Sequence, residues 1–184
     1  MGSSGTYHSV GSGWANASNT PWRLYKHYNH EGGISSPFIV HWPAGINRSG
    51  VIDNHPGHIV DLMPTILDAA EATYPSEFGG RKTIPEAGKS ILPLLNGKPV
   101  EDRILYFEHE GNRAIQDGKW KLTALRGKEW ELYDLKKDRT ELNNLVGKFP
   151  DIVSRLDSLW NKWAKENYVT PLPTNYRMPY LPRE

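Results

Sequence analysis

The sequence predicts an α/β chain whose second half is a small four-stranded antiparallel sheet packed by a C-terminal helix. Three observations predict it. An apolar run at 37–42 is followed by apolar residues at helical spacing over 59–70, which suggests a strand and a helix of one layer. Four short β-rich runs lie between 104 and 133, and a single apolar stripe follows Pro150.

Taken in order, residues 1–20 are rich in Gly, Ser and Asn and read as irregular, with Trp14 as the one strong anchor. Pro37 to Trp42 reads as a buried strand stopped by Pro43, and a loop runs through Asn47-Arg48-Ser49-Gly50. Ile59, Leu62, Met63, Ile66, Leu67 and Ala70 then define a helix. Asp61 is placed to cap it, which puts Pro64 in a first turn where a missing N–H does little harm. Residues 71–102 read as a long connection with one helical turn at 91–95.

The four strands are expected at 104–107, 113–116, 119–122 and 130–133. Asp117-Gly118 signals a hairpin, because both residues tolerate positive φ. The polar–apolar alternation from Lys119 to Leu122 predicts a half-exposed strand. Pro150 and Asp151 open the last helix, whose stripe is Ile152, Val153, Leu156, Trp160 and Trp163. Residues 169–184, with four prolines, read as an extended tail. Two parts are expected, 1–100 and 101–184.

The 184 residues suffice for a real core, since a domain of ~150 residues hides roughly 70% of its unfolded surface. With 22 basic and 21 acidic residues the net charge is +1, which gives no electrostatic case for nucleic acid or an anionic membrane. No apolar run approaches the ~20 residues of a membrane span, and Met1 to Gly5 lacks the apolar stretch of a signal peptide. Cysteine is absent, which removes disulfides, thiolate metal sites and a Cys nucleophile. Seven Trp and nine Tyr suit core anchoring first and pocket lining second.

The richest stretch chemically is Lys26-His27-Tyr28-Asn29-His30-Glu31-Gly32-Gly33. Two consecutive glycines mark a sharp bend or a close approach by another group. A lysine is a compact charge suited to holding a tetrahedral oxyanion. His27 reads as a loop histidine bonded to a backbone carbonyl, His30 either as another such loop histidine or as one that points toward a pocket, and Glu31 ties the turn together by accepting hydrogen bonds. His109, in Glu108-His109-Glu110-Gly111-Asn112-Arg113-Ala114, is placed at a pocket edge or in a plain turn. Asp134, Asp138 and Glu141 have tempting metal spacing, but turn formation and capping account for them better.

Lys26 followed by four residues and Glu-Gly-Gly, then an apolar run ending in Trp42-Pro43, resembles the second half of the type I sulfatases, the arylsulfatase family. Further blocks occur in the family order: His58-Ile59-Val60-Asp61-Leu62-Met63-Pro64-Thr65, Gly88-Lys89-Ser90, Gly118-Lys119-Trp120-Lys121-Leu122 and Glu131-Leu132-Tyr133-Asp134-Leu135. The similarity runs from about Gly11 to about Trp163. It implies the C-terminal part of an alkaline-phosphatase-like fold and the hydrolysis of sulfate esters. It implies that Lys26 grips the sulfate beside its bridging oxygen, with His30 and His109 as substrate-binding candidates.

The family nucleophile is a formylglycine made in a Cys/Ser-x-Pro-x-Arg motif, and a calcium ion polarises the sulfate. This chain contains neither a Cys nor a Ser-x-Pro-x-Arg, and its Asp53-Asn54 precedes His55 rather than Gly. The expectation is therefore that nucleophile and Ca2+ ligands lie in an upstream sulfatase segment, and that this chain alone is inactive. The partners implied are that segment and a sulfate-ester small molecule or sulfated glycan. The alternatives are a phosphonate or phosphodiester hydrolase on the same fold, or a noncatalytic carbohydrate-binding α+β module. Family habit suggests a periplasmic or secreted protein.

Overall fold

The computed structural model describes residue 5 and residues 10–170. The elements in chain order are α1 (Gly11–Asn19), α2 (Glu31–Ile34), a 3-10 turn (Ile59–Asp61), α3 (Leu62–Ala69), β1 (Glu77–Phe78), β2 (Arg81–Lys82), α4 (Leu92–Leu95), β3 (Leu105–His109), β4 (Asn112–Asp117), β5 (Trp120–Ala124), β6 (Glu131–Asp134) and α5 (Pro150–Glu166). They form two compact units. The described residues up to Pro37 join those from Arg103 onward, and Phe38–Asp102 form the second unit.

In the first unit, β3-β4-β5-β6 make an antiparallel meander in sequence order. Residues opposite one another share a face, so the register sorts the sheet into rows. Ile115, Leu122 and Leu132 form one row. The α5 helix lays Leu156, Trp160 and Ala164 on it, all buried. Each large apolar side chain buried in this way contributes roughly 1.5–3 kcal/mol. Polar tips on the aromatics are satisfied: Trp160 Nε1 donates to the Phe107 carbonyl at 3.2 Å, and Trp130 Nε1 donates to Asp157 Oδ1 at 2.8 Å. Tyr106 stacks on Trp163 at 5.1 Å. Four of the seven tryptophans thus pack in this layer, as core anchoring requires.

The opposite rows are polar. Gln116, Lys121 and Tyr133 align, as do Ala114, Thr123 and Glu131. The alternation in β5 predicts that this face meets water, yet Lys121 and Thr123 have no exposure at all. The segment around α2 covers them, so the polar face is a second interior layer. Hairpin geometry follows the glycines: Glu110 and Gly111 (φ +55° and +86°) turn β3 into β4, and Gly118 lies at φ +55° between β4 and β5.

The expectation of an irregular start is corrected by α1, which runs for nine residues. Its side chains bond along the helix, with Asn16 Nδ2 donating to the Ser12 carbonyl and Ser18 Oγ to that of Trp14. Trp14 is 73% exposed and is not part of the core formed by the described residues. The tail expected at 169–184 falls outside the described residues from 171 onward.

In the second unit, Phe38 to Trp42 is not a buried strand. It pairs with no strand among the described residues, and Ile39 is 88% exposed. The apolar pattern is real, but a strand needs a neighbour to satisfy its backbone. Asp61 also acts one turn earlier than expected. Its Oδ2 accepts from the His58 N–H at 2.8 Å, closing a capping box on the 3-10 turn, and its Oδ1 accepts from the Lys89 N–H at 3.0 Å. Thr65 Oγ1 accepts from the Ile91 N–H at 3.0 Å. A Cβ on Gly88 would collide with the Val60 carbonyl. These contacts lock the 88–91 stretch onto α3 and explain both motif blocks. The connection after α3 holds a two-residue hairpin, β1-β2, missed because Gly79-Gly80 joins strands too short to show a pattern.

Gly33 tests the packing beneath the turn. A Cβ there would run into the Tyr28 carbonyl and lie 2.7 Å from that of Tyr25. Gly33→Ala is expected to lower unfolding stability by about 1–3 kcal/mol through overpacking, measured by urea denaturation followed by tryptophan fluorescence.

Candidate active site

The site begins with a tightly folded turn over residues 23–35. The Gly32 N–H donates to the Arg23 carbonyl at 2.8 Å, the Gly33 N–H to that of His30 at 2.8 Å, and the Tyr28 N–H to that of Tyr25 at 3.1 Å. Neither glycine is in a left-handed conformation; both are needed because backbone carbonyls sit where a side chain would start.

Glu31 anchors this turn to the sheet. Lys121 Nζ donates to its Oε1 at 2.9 Å, Ser35 Oγ donates to its Oε2 at 2.5 Å, and Arg139 Nη2 lies 3.5 Å from Oε2. The Glu31 N–H donates to Glu141 Oε2 at 2.8 Å. Lys121 Nζ is also 2.8 Å from Glu141 Oε1, but without the alignment of a hydrogen bond, so that contact is Coulombic. Glu141 holds a left-handed backbone (φ +57°) to reach in. Burial works to raise the Glu31 carboxyl pKa, but Lys121 and the Ser35 hydroxyl outweigh it and the net shift is downward.

A second carboxylate, Glu131, gathers the flank of the turn. Arg23 Nη1 donates to its Oε2 at 2.6 Å, Tyr133 OH donates to it at 2.5 Å, and His30 Nε2 lies 3.2 Å away. Burial pushes Glu131 up, but the hydrogen bonds from His30, Tyr133 and Arg23 prevail and hold it at about 2. Tyr133 is raised, first by burial and then by its bond to Glu131.

Two buried asparagines join the turn to the β3–β4 hairpin. Asn29 Nδ2 donates to the Asn112 carbonyl at 2.8 Å. Asn112 Nδ2 donates in turn to the carbonyls of His27 (2.8 Å) and His109 (3.1 Å). The rings of His27 and His109 stack at 5.8 Å, and His27 Nδ1 is 2.9 Å from Glu110 Oε2. Lys26 projects from the same turn. It is exposed and, unlike Arg23, Lys121 and Arg139, it engages no carboxylate among the described residues.

The family described as N-sulphoglucosamine sulphohydrolase, C-terminal, matches residues 21–166, from the start of this turn to the end of α5. The chain belongs to the sulfatases. It is 35% identical over 183 residues to an uncharacterized sulfatase of Schizosaccharomyces pombe, covering 94% of this chain and 33% of that protein. It is 27% identical over 143 residues to arylsulfatase K of Danio rerio, covering 74% of this chain and 27% of the relative. Among solved structures it is similar to Ps i-CgsB in complex with k-i-k-neocarrahexaose, at 23% identity and a TM-score of 0.63, covering 80% of this chain and 33% of that one. That likeness carries the alkaline-phosphatase-like fold. The sulfatase chain spans about a third of the length of these relatives.

The structure brings two of the three site residues read from the sequence to neighbouring turns: Lys26 directly precedes His27, whose ring lies against His109. His30 does not reach a pocket. Its side chain has no exposure, because the Glu131 bond draws it under the turn. Asp138 forms a turn as expected, accepting from the Leu142 and Asn143 N–H groups. Glu141 does more than form a turn, being part of the buried cluster. Lys121, Glu131, Arg23, Asn29 and Asn112 escaped sequence reasoning; the one available signal was the polar row facing away from the Trp stripe. Sulfatases generally use a metal. Calcium takes six to eight oxygen ligands. The one metal-capable group among the described residues, His27, His109 and Glu110, offers two imidazoles and a single carboxylate, and does not fit it.

The lowered carboxyl of Glu131 predicts an acid-sensitive turn. A carboxyl that binds its proton less readily when folded adds stability above its unfolded pKa, near 4.5, and that stability is lost as pH falls toward about 2. The loss is worth about 3 kcal/mol. Glu131→Gln is expected to flatten the fall in stability between pH 4.5 and 2, leaving the slope contributed by Glu31, Asp134 and Asp138, whose carboxyls are also lowered. Urea melts across that range check it.

Proposed function

We propose that the sulfatase chain supplies the leaving-group side of a sulfate-ester hydrolase site, with Lys26 as its catalytic residue. The observation that carries this reading is that Lys26, on a turn tied to the sheet through Arg23, Asn29 and Glu31, is exposed and engages no carboxylate among the described residues. Its neighbours Arg23, Lys121 and Arg139 are consumed by carboxylates, whereas Lys26 is held at the tip of a rigid scaffold and remains available to an anion. Rigid placement matters because an electrostatic group accelerates a reaction only where it meets charge as that charge develops.

Lys26 binds a sulfate oxygen and stabilises the alkoxide or phenolate that forms as the S–O bond breaks. His109, about half exposed on the hairpin tip, contacts the organic part of the substrate. His30 contributes as a positioning residue, holding the turn through Glu131. The nucleophile and the metal belong to the remaining part of the sulfatase; that metal is calcium, which when bound polarises the sulfate and is held by residues outside this chain. The substrate class is a sulfated glycan or aryl sulfate. Support comes from the family and from Ps i-CgsB, solved with k-i-k-neocarrahexaose. The carbohydrate-module alternative has little left to stand on, because most tryptophans are spent on the core.

In the sulfatase that contains this chain, Lys26→Ala is expected to lower kcat/KM for an aryl sulfate by ~10² to 10³, the loss typical of one oxyanion donor. His109→Ala should raise KM for a sulfated oligosaccharide with kcat little changed. Unaltered turnover in Lys26→Ala would remove Lys26 from the reaction.

A further inference from the structure

We propose that His27, His109 and Glu110 form a binding site for a divalent transition ion of the zinc type. Each offers one ligand atom, and the three atoms lie within 4.8 Å of one another. His27 Nδ1 is 2.9 Å from Glu110 Oε2, and His109 Nε2 is 3.9 Å from Glu110 Oε1. Two ligands bound at Zn–N and Zn–O lengths of about 2.0–2.2 Å in a tetrahedron are ~3.4 Å apart. The two contacts run to opposite oxygens of the carboxylate, and with one ligand atom from each residue the three lie no more than 4.8 Å apart, so closing onto one ion takes rotation of the Glu110 carboxylate and the imidazoles.

The scaffold is built for this juxtaposition at some expense. His27 (φ +93°) occupies left-handed backbone, which non-glycine residues seldom adopt, whereas the positive φ of Glu110 belongs to its hairpin turn. Asn112 holds the carbonyls of His27 and His109 with one amide, and it is 1% exposed. A plain histidine–glutamate hydrogen bond on a surface needs none of this. The ligand set, two imidazole nitrogens and one carboxylate oxygen, selects zinc, cobalt or nickel over calcium and magnesium. Three protein ligands leave a coordination position open for water or a ligand anion. His109 is 52% exposed, which gives the ion an entry path. The site shares His109 with the proposed substrate contact, and its test reads metal binding rather than turnover.

The test is a Co2+ titration of the 184-residue chain, followed by visible d–d absorption, with Zn2+ as competitor. The site predicts saturable one-to-one binding displaced by Zn2+, and at least ~10-fold weaker binding in His109→Gln and in Glu110→Gln. His41→Ala, a histidine of the other compact unit, should bind as the parent does. Circular dichroism checks that the variants fold. Should either variant unfold, amide shifts of the unaltered chain on adding Zn2+ decide: they must centre on residues 26–28 and 108–112. Absence of one-to-one binding, equal binding by folded His109→Gln and Glu110→Gln, or shifts centred elsewhere would each overturn the proposal.

Discussion

An ammonium group with no solvent exposure, Lys121 Nζ, lies between the carboxylates of Glu31 and Glu141 at 2.9 and 2.8 Å. Removing these charges from water costs several kcal/mol per ion, so the cluster depends on the opposite charges being held this close. Arg139 adds a second positive charge at the rim, and the Glu31 N–H and Ser35 hydroxyl fill further acceptor positions. The three charged groups come from the α2 turn, from strand β5 and from the loop after β6. Their meeting fixes where the turn sits on the sheet.

Everything chemical follows from that placement. With Glu31 pinned, the two glycines bring carbonyls of residues 23–28 close beneath the chain, and Lys26 is carried to the outer edge. Glu131 and the Asn29–Asn112 pair secure the turn at two further points. The positive side chains divide accordingly. Those bonded to Glu31 and Glu131 are structural, and Lys26 is exposed and engages no carboxylate among the described residues.

The apolar side of the molecule was legible in the sequence. The strand rows, the α5 stripe and the hairpin at Gly118 depend on local period and turn chemistry, which neighbouring residues encode directly. The turn bearing Lys26 and its tight glycines was legible for the same reason, and through resemblance. Lys121 was not. Polar alternation looks the same whether it faces water or a matching polar surface, and its partners lie 90 and 20 positions away. Phe38 to Val40 failed in the opposite sense, since an apolar run announces burial without saying which surface supplies it. His30 was misplaced because its partner, Glu131, is equally remote in sequence.

The buried lysine holds the Lys26 turn on the sheet. Amide hydrogen exchange on Lys121→Met tests it most directly, because methionine fills the space without the charge. Protection at Gly32, Gly33 and Ser35 is expected to collapse while the paired amides of β3 and β4 remain protected. Unchanged protection of those three amides, in a variant confirmed to lack the charge, would contradict it.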